Sequence, residues 1–295
     1  MKPAPVSVII PTFNRGEVLG RAIDSVLRQS LPPAELIIVD DGSDCEKTRT
    51  LKKQYLKAKA NQSPTSNAST SMETVIHWLE QPNSGVSSAR NRGIRHSSHD
   101  WLAFLDSDDY WLEKKLEKQL ERIHKSGALV AHTEEIWIRN GKRVNQCKHH
   151  RKEGGELFER SLHLCLMSPS SILIHKSVIE TIGVFDESLP ACEDYDLWLR
   201  ITSRHPVEFL TEPLITKTGG HPDQLSQAYP AMDRFRIQAL IKILEHEPLN
   251  EIQRTALLKV LGKKVKIYGG GCRKRGKLAE AERIEELFFN VSQVD

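Results

Sequence analysis

The sequence lacks three features that would assign it to a broad class at once. It has no apolar run approaching the length of a membrane span, and its amino terminus lacks the basic and apolar regions of a signal peptide. Its 42 basic and 39 acidic residues give a formal net charge of +3, so it has no overall basic character that would favour nucleic acid. These absences predict a soluble, cytoplasmic protein that does not bind nucleic acid.

Cysteine is scarce, with five residues and no CxxC pair. An odd number of unpaired cysteines predicts reduced thiols rather than a disulfide framework. Cys147, His149 and His150 are close in sequence, but a structural zinc site ordinarily has a second pair of ligands. We therefore interpret this cluster as a solvated loop rather than a zinc site.

Apolar, β-branched segments alternate with helical patterns over the first hundred residues. Val6–Ile10 and Leu36–Val39 are typical of buried strands, and Val18–Leu27 and Glu46–Lys59 are typical of helices. This alternation predicts an α/β fold with a mostly parallel, doubly wound sheet. Ligands of such sheets bind outside the carboxyl ends of the strands.

The most informative stretch is Trp101–Tyr110, WLAFLDSDDY, an apolar run that ends in carboxylates. Side chains of an extended segment alternate in direction, so Asp106 and Asp108 can point the same way. Converging carboxylates repel each other unless a cation lies between them, and Mg²⁺ or Mn²⁺ would bind them together with diphosphate oxygens. An acidic turn is the alternative. Because two other strands also end in polar groups, at Thr12–Arg15 and Asp40–Asp41, the metal–diphosphate site is favoured.

After Asp109 the alternation becomes less regular. The patterns predict helices over Glu113–Ser126 and Gly154–Met167, strands over Ala128–Ile138 and Ser171–His175, edge strands over Val207–Leu210 and Leu214–Thr218, and a helix opened by Glu193 and Asp194.

The C-terminal part differs in kind, because its pattern contains helices and no strands. The predicted helices span Met232–Glu247, Glu251–Tyr268 and Lys277–Phe289, and Gly269–Cys272 is predicted to be the turn between the last two. Lys259–Lys277 contains eight basic residues and no acidic one, which indicates either a solvated face or peripheral contact with an anionic membrane.

The predicted domains follow from this change of pattern. Residues 1–229 are predicted to form one domain, with a nucleotide-binding half at 1–110, and residues 230–295 a helical appendage.

Residues 4 to about 221 closely resemble the family 2 glycosyltransferases, which have the Rossmann-like GT-A fold. The matching motifs are VSVIIPTFNR, LIIVDDGS, NSGVSSARNRG, FLDSDD and EDYDLWLR, in the family's order. The resemblance implies a mixed, mainly parallel sheet flanked by helices, with residues 111–229 as the acceptor half of the domain. It also implies sugar transfer from a nucleotide diphosphate donor, typically a UDP-sugar, with inversion and with Mn²⁺ or Mg²⁺. The implied acceptor is a carbohydrate or lipid-linked hydroxyl in cell-surface glycan or polysaccharide synthesis.

The resemblance also implies which residues bind the donor. Asp41, with Asp40 beside it, matches the acid that hydrogen-bonds the base, and Asp106 falls where the family contacts ribose or metal. Asp108 matches the residue that holds the metal between the phosphates. The remaining donor-binding positions are Pro11, Thr12, Phe13, Arg15 and Ser107.

Asp194 matches the family's catalytic base, and Glu193 is the other half of the acidic pair. Deprotonating an attacking hydroxyl requires such a base, although carboxylates in a first helical turn also serve as caps. Arg90 either neutralises Asp41 or touches the donor, or else it forms a structural ion pair. His221, after two glycines, is either a metal ligand or a structural histidine.

Two other functions remain open at this point. A sugar nucleotidyltransferase shares the fold but would carry a glycine-rich, basic signature early in the chain, where Pro11–Gly16 offers only Arg15. An inactive sugar-nucleotide-binding scaffold is the second alternative. Retention of Asp106, Asp108 and Asp194 together favours the enzyme.

Overall fold

The computed structural model describes residues 2–60, 73–220, 229 and 231–293. The chain divides into two compact units. Unit one comprises Met1–Gly155, Met167–Glu187 and Val207–His221, and unit two comprises Glu156–Leu166, Ser188–Pro206 and Pro222–Asp295. Unit two thus contains, besides the C-terminal helices, two segments that lie before residue 229.

All the strands of the described residues belong to unit one. They are β1 (Ala4–Thr12), β2 (Pro33–Asp40), β3 (Val75–Glu80), β4 (Trp101–Phe104), β5 (Tyr110–Trp111), β6 (Val130–Arg139), β7 (Lys142–Val144), β8 (Leu173–His175) and β9 (Glu208–Gly219). The helices are α1 (Leu19–Leu27), α2 (Glu46–Ala60), α3 (Val86–His96), α4 (Lys115–Ser126), α5 (Phe158–Ser161), α6 (Lys176–Ile182), α7 (Glu193–Thr202), α8 (Asp233–His246), α9 (Glu251–Lys274) and α10 (Leu278–Ser292).

These strands form one sheet with the order β3-β2-β1-β4-β8-β6-β9-β5, and β7 pairs with β6. The first four strands of that order are parallel, so their carboxyl ends lie at one edge. Strands β8, β7 and β5 add antiparallel pairs. The predicted fold class, a mixed and mainly parallel sheet flanked by helices, is confirmed.

The core of unit one forms because the apolar strand residues are covered on both faces. Val8 and Ile10 of β1 and Leu36 of β2 are fully buried, and α1 contributes Ile23 and Val26 to the same cluster. Side chains of this size each stabilise the fold by about 1.5–3 kcal/mol when fully buried. The core therefore fixes the strand ends from which the polar groups project.

The helix predicted over Gly154–Met167 is wrong for most of its length. Only Phe158–Ser161 is helical. Gly155 has a positive φ of 93°, which does not occur in an α-helix, and it forms an antiparallel bridge with Val207, so the backbone is not helical there. The apolar spacing indicated burial correctly, but a tertiary backbone contact decided the conformation.

The two edge strands predicted over Val207–Leu210 and Leu214–Thr218 form one continuous strand, β9, which is parallel to β6. β5 pairs with β9 at Ile215 and Thr216, so the predicted edge position is wrong for that part of the strand. The β6–β9 pairing shifts register between Thr133 and Glu135, where β9 has extra residues around Pro213.

The turn predicted at Gly269–Cys272 is wrong, because α9 continues through these residues to Lys274. Gly269 is buried in α9, and Arg273 farther along the same helix pairs with Glu285 of α10, so contacts between the two helices lie across the predicted turn. The chain turns instead at Gly276, whose φ of 74° favours glycine.

Unit two is a helical assembly with its own core. Leu199 of α7, Leu240 of α8 and Leu257 of α9 are fully buried in one cluster, and Ala281 and Ile284 of α10 complete it. Within the described residues, no helix combines the length and the apolarity needed to cross a membrane.

Candidate active site

The polar groups at the ends of β1, β2 and β4 come together because the three strands are adjacent and parallel. Thr12 at the end of β1 is in register with Asp40 at the end of β2, and the Asp41 amide donates to the Thr12 carbonyl oxygen at 2.8 Å. On the other side of β1, Ile9 is in register with Phe104, two residues before Asp106. The predicted donor-binding residues of unit one therefore share one edge.

Asp41 is buried and its carboxylate is fixed by three hydrogen bonds. Gln81 Nε2 at 2.7 Å and the Ser84 amide at 2.9 Å donate to Oδ1, and the Gly85 amide at 2.9 Å donates to Oδ2. Gly85 directly precedes α3, so the carboxylate also faces the positive end of that helix. A carboxylate offers about four acceptor positions, so these bonds orient Asp41 without filling all of them.

The loop after β2 keeps the neighbouring groups close. Asp40 is buried, and its Oδ1 accepts from the Ser43 amide at 2.9 Å. Gly42 has a φ of 85°, and a side chain there would come within 2.8 Å of the Asn83 amide nitrogen. Glycine at this position lets the loop that holds Asp41 pack against the loop that precedes α3.

The turn after β1 presents one exposed ring and one buried hydroxyl. Pro11 and Thr12 are buried, Arg15 is half-buried, and Phe13 is 46% exposed. Asn14 stabilises the turn with a φ of 53°, because its amide donates to Ser43 Oγ at 2.8 Å and its Oδ1 accepts from the Asp44 amide at 3.0 Å. The Thr12 hydroxyl is buried without a hydrogen-bond partner among the described residues, as expected of a group that awaits a ligand.

Asp106 is held in place from both sides of the loop after β4. Its amide donates to Ser170 Oγ at 3.1 Å, and its Oδ1 accepts from Arg90 Nη2 at 2.8 Å. Arg90 is buried, and its guanidinium also lies 5.1 Å from the centre of the Phe185 ring. Of the two predictions for Arg90, the ion pair is thus present, with Asp106 as its partner.

Asp108 is half-buried, and the backbone around it is fixed by contacts to other elements. Its carbonyl oxygen accepts from Arg21 Nη2 at 2.5 Å and from the Thr218 hydroxyl, and the neighbouring Ser107 is buried. The Arg21 guanidinium lies 4.6 Å from the centre of the Tyr110 ring. These contacts hold the two acidic side chains of the DSD segment on a loop of defined conformation.

Asp109 is a site residue to which the sequence analysis gave no role. It is 2% exposed, and its carboxylate accepts from Ser170 Oγ at 2.6 Å and from the Thr218 amide at 2.8 Å. Burial, and then the negative charges of Asp108 and Asp106, raise the pKa of Asp109 well above its ordinary value. Asp109 therefore retains its proton more readily than an ordinary aspartate, and its contacts with Ser170 and Thr218 anchor the loop that carries Asp106 and Asp108.

A divalent cation fits this donor set. Asp106 and Asp108 offer hard oxygen ligands, as Mg²⁺ and Mn²⁺ require, and the usual shell of these ions includes one or two carboxylates and phosphate oxygens. His221, the third predicted ligand, lies outside the described residues.

Unit one also contains a buried ion pair that the sequence did not indicate. Lys152 Nζ donates to Glu135 Oε1 at 2.8 Å, and Ser168 Oγ and Trp137 Nε1 donate to the same carboxylate. Burial alone would raise the pKa of Glu135, but the positive charges of Lys152 and Lys217 lower it to about 2. The pair ties the segment around Lys152 to β6.

Glu193 and Asp194 lie in unit two, in the first turn of α7. Glu193 is buried and Asp194 is half-buried. Asp194 Oδ1 accepts from the Tyr195 amide at 2.7 Å, and Oδ2 accepts from the Cys165 thiol at 3.4 Å. Cys192, at the N-cap, provides no side-chain cap, so the Asp194 carboxylate satisfies one of the free amides of the first turn.

Asp196 differs from Asp194, although both belong to the EDYD segment. It is fully buried, and its Oδ2 accepts from Arg200 Nε at 3.0 Å and Nη2 at 2.8 Å. Lys242 Nζ lies 3.7 Å from the other oxygen. Asp196 is therefore a structural ion-pair residue, and Asp194 is the more accessible carboxylate.

The residues of the basic run are mostly exposed on unit two. Lys259, Lys263 and Lys266 lie on one side of α9 beside Ile267, which is 59% exposed. Lys264 is the exception, because it is half-buried and pairs with Asp233 at 3.2 Å.

The family model described as Glycosyl transferase family 2 matches residues 7–183 of this chain. A Rickettsia typhi protein described as uncharacterized glycosyltransferase RT0329 is 30% identical over 216 residues, which are 71% of this chain and 62% of the relative. The Bacillus subtilis protein TuaG, named for teichuronic acid biosynthesis, is 42% identical over 118 residues, 39% of this chain and 40% of the relative.

Coverage of the relatives is partial. An uncharacterized glycosyltransferase of Rickettsia felis is 27% identical over 232 residues, which are 75% of this chain but 35% of the relative. The chain thus spans about a third of the length of this curated relative.

Solved structures share the fold. The crystal structure of S. aureus TarS 1–349 in complex with UDP-GlcNAc matches with a TM-score of 0.69 at 20% identity, over 99% of this chain and 79% of that chain. A second TarS crystal structure matches with a TM-score of 0.64 at 20% identity, over 90% of this chain and 43% of that chain. The predicted GT-A fold is confirmed.

Proposed function

Because the chain belongs to glycosyl transferase family 2, we propose that it transfers a sugar from a UDP-sugar to an acceptor hydroxyl. The observation that carries the proposal is the shared edge at which Thr12, Asp41 and Asp106 end three adjacent parallel strands. The complex of the structural neighbour TarS with UDP-GlcNAc supports a uridine nucleotide as the donor.

In this proposal Asp41 binds the base and the turn after β1 binds the nucleoside. The three hydrogen bonds that fix Asp41 leave its carboxylate oriented as an acceptor for a uracil N–H. The buried hydroxyl of Thr12 gains a partner when the donor binds, and the exposed ring of Phe13 offers a surface for stacking. Pro11, Arg15 and Asp40 complete this part of the site.

Asp106 and Asp108 hold the divalent cation and the diphosphate, with Ser107 between them. Arg90 orients the Asp106 carboxylate through the contact at 2.8 Å. When bound, the cation would neutralise charge that develops on the leaving diphosphate. His221 stays a predicted ligand.

Asp194 is proposed as the general base, supported by Glu193. The acceptor oxygen forms a bond to the anomeric carbon, the bond from that carbon to the diphosphate breaks, and the acceptor proton passes to Asp194. A single displacement of this kind inverts the configuration. The half-buried position of Asp194 supports this assignment over Asp196, whose carboxylate is committed to Arg200.

One experiment separates this function from its two alternatives. UDP-sugars are incubated with the protein and Mn²⁺, and release of UDP and of free or transferred sugar is measured. A glycosyltransferase releases UDP, a nucleotidyltransferase instead produces a sugar phosphate when pyrophosphate is supplied, and a scaffold binds UDP without turnover. Binding at a hundred times the dissociation constant should stabilise the protein by about 2.7 kcal/mol, so a thermal-shift screen identifies the donor first.

We further propose a carbohydrate or lipid-linked acceptor of the cell surface. The similarity to TuaG, which is named for teichuronic acid biosynthesis, supports a surface polysaccharide. The exposed lysines of α9 with Ile267 support peripheral contact of a cytoplasmic protein with the anionic inner face of a membrane.

Replacing Lys259, Lys263 and Lys266 together by glutamine should weaken binding to anionic vesicles about 100-fold, because each lysine near such a surface contributes about 1 kcal/mol. Sedimentation with phosphatidylcholine vesicles that do or do not contain phosphatidylglycerol measures the change.

The matched control replaces three exposed lysines of unit one by glutamine, so the net charge changes by the same amount. These lysines are Lys53, Lys57 and Lys114. Equal vesicle binding by both variants would show that only the total charge matters. It would contradict the proposal that this side of α9 contacts the membrane.

A further inference from the structure

Three side chains with metal-binding atoms lie together in the loop after β7. Their ligand atoms, one each from Cys147, His149 and His150, are all within 4.8 Å of one another. The first two residues are exposed and the third is half-buried. The sequence spacing alone indicated a solvated loop, but it could not show that the three side chains converge.

We propose that Cys147, His149 and His150 form a zinc-binding site that is separate from the carboxylate site at Asp106 and Asp108.

The loop is anchored on both sides of the three ligands. Before them, Gln146 Nε2 donates to Glu134 Oε1 at 2.8 Å and to the Glu135 carbonyl oxygen at 3.3 Å. After them, Lys152 is tied to the buried Glu135 carboxylate at 2.8 Å. Both anchors are on β6, so the ligands are carried on a short segment with two fixed ends, and less ordering is needed when an ion binds.

The backbone and a neighbouring ring orient the ligands within this loop. Lys148–His150 forms a 3₁₀ turn, in which the His150 amide donates to the Cys147 carbonyl oxygen at 2.8 Å. The His150 ring lies against Trp137 of β6, with the ring centres 5.3 Å apart, and the centres of the two histidine rings are 4.0 Å apart. The Nδ1 of His150 is buried and has no hydrogen-bond partner among the described residues.

The distances are close to those of a bound ion. Zinc binds sulfur at about 2.3 Å and imidazole nitrogen at about 2.0–2.1 Å, which separates tetrahedral ligand atoms by roughly 3.3–3.6 Å. The three atoms therefore need to approach by roughly 1 Å, a change within reach of side-chain rotation because Cys147 and His149 are exposed. A fourth position remains for water or another ligand.

The two sites on unit one differ in the ions that they select. Thiolate and imidazole favour Zn²⁺, whereas the carboxylates of Asp106 and Asp108 favour Mg²⁺ or Mn²⁺.

Cobalt titration of the full chain without a polyhistidine tag tests the site directly. Mg²⁺ in excess occupies the carboxylate site, and Co²⁺ is then added under reducing conditions. The expected result is a thiolate-to-cobalt charge-transfer band that saturates at one Co²⁺ per chain and disappears when Zn²⁺ is added. Absence of this band at saturating Co²⁺ would overturn the proposal.

Cys147→Ser and His149→Asn should each weaken Zn²⁺ binding by about 100-fold or more. Loss of a residue that only hydrogen-bonds a metal ligand already lowers metal affinity 10- to 100-fold, and loss of a ligand should cost at least as much. Both residues are exposed, so near-ultraviolet circular dichroism should stay unchanged. Cys45→Ser is the matched control, because this half-buried thiol lies elsewhere on unit one and should leave the band intact. Unchanged Zn²⁺ affinity in Cys147→Ser, or loss of the band in Cys45→Ser, would refute the assignment. UDP binding should not change in any of these variants.

Discussion

Replacing Asp194 by asparagine should lower the rate of sugar transfer by about 100- to 10,000-fold, which is the usual contribution of a general base. Asparagine keeps the size and polarity of the side chain, and its oxygen can still accept from the Tyr195 amide, which the Asp194 carboxylate does at 2.7 Å. The asparagine side chain cannot, however, take up the proton that the acceptor hydroxyl loses. The measurement is kcat for transfer with saturating donor, together with the Kd for UDP in the presence of Mn²⁺, which should not change.

Two neighbouring carboxylates provide the controls for this prediction. Glu193→Gln should reduce the rate less, because the proposed role of Glu193 is to support Asp194. Asp196→Asn removes the charge that faces Arg200 and should lower thermal stability rather than selectively lower kcat. If Asp194→Asn retained full activity with normal stability, Asp194 would be a helix cap and not the base, since asparagine caps as well as aspartate.

Replacing Lys152 by methionine should lower the free energy of unfolding by about 3–5 kcal/mol, because the buried Glu135 carboxylate would lose its charge partner at 2.8 Å. Urea denaturation at pH 7, followed by fluorescence, measures this change. The exposed pair between Lys118 and Glu212 is the matched control, and Lys118→Met should cost less than about 1 kcal/mol. Equal losses from the two substitutions would contradict the account of the buried pair.

The pH dependence of the same pair has a defined sign. The pKa of Glu135 is lowered to about 2 in the folded protein, against its ordinary value of 4.5, so its contribution to stability is complete above pH 4.5 and is lost as the pH falls towards 2. Lys152→Met removes the positive charge that keeps this pKa low, so Glu135 becomes neutral more readily. The difference in stability between the two proteins should therefore be largest near pH 7 and shrink in acid. Adding Glu135→Gln to Lys152→Met should recover most of the loss.

The fold was predictable wherever a segment's own pattern decided its structure. The buried, β-branched residues of β1 and β2 and the apolar spacing of α1 require only local information. The errors arose where contacts between residues far apart in the sequence decided the local structure. Gly155 forms a bridge with the distant Val207, and Gly269 is buried within a helix that packs against α10.

The candidate site was likewise predictable only where a local sequence pattern decided its structure. The sequence placed Asp40, Asp41 and Asp106 at strand ends, and parallel neighbouring strands bring those ends together. It gave no role to Asp109, because its partners Ser170 and Thr218 are 61 and 109 residues away in sequence. The pairing of Glu135 with Lys152 likewise follows from the path of the loop after β7 and has no motif.

The central claim, that the DSD segment binds the diphosphate of a nucleotide donor through a divalent cation, is tested most directly by calorimetric titration of UDP. The protein and Asp108→Ala are compared in Mn²⁺ and in chelator. The account predicts that the protein binds UDP much more tightly with Mn²⁺, that Asp108→Ala loses this gain, and that its unfolding temperature stays unchanged, because the half-buried Asp108 side chain lies outside the core. Equal affinity for UDP in both proteins with Mn²⁺ present would contradict the claim.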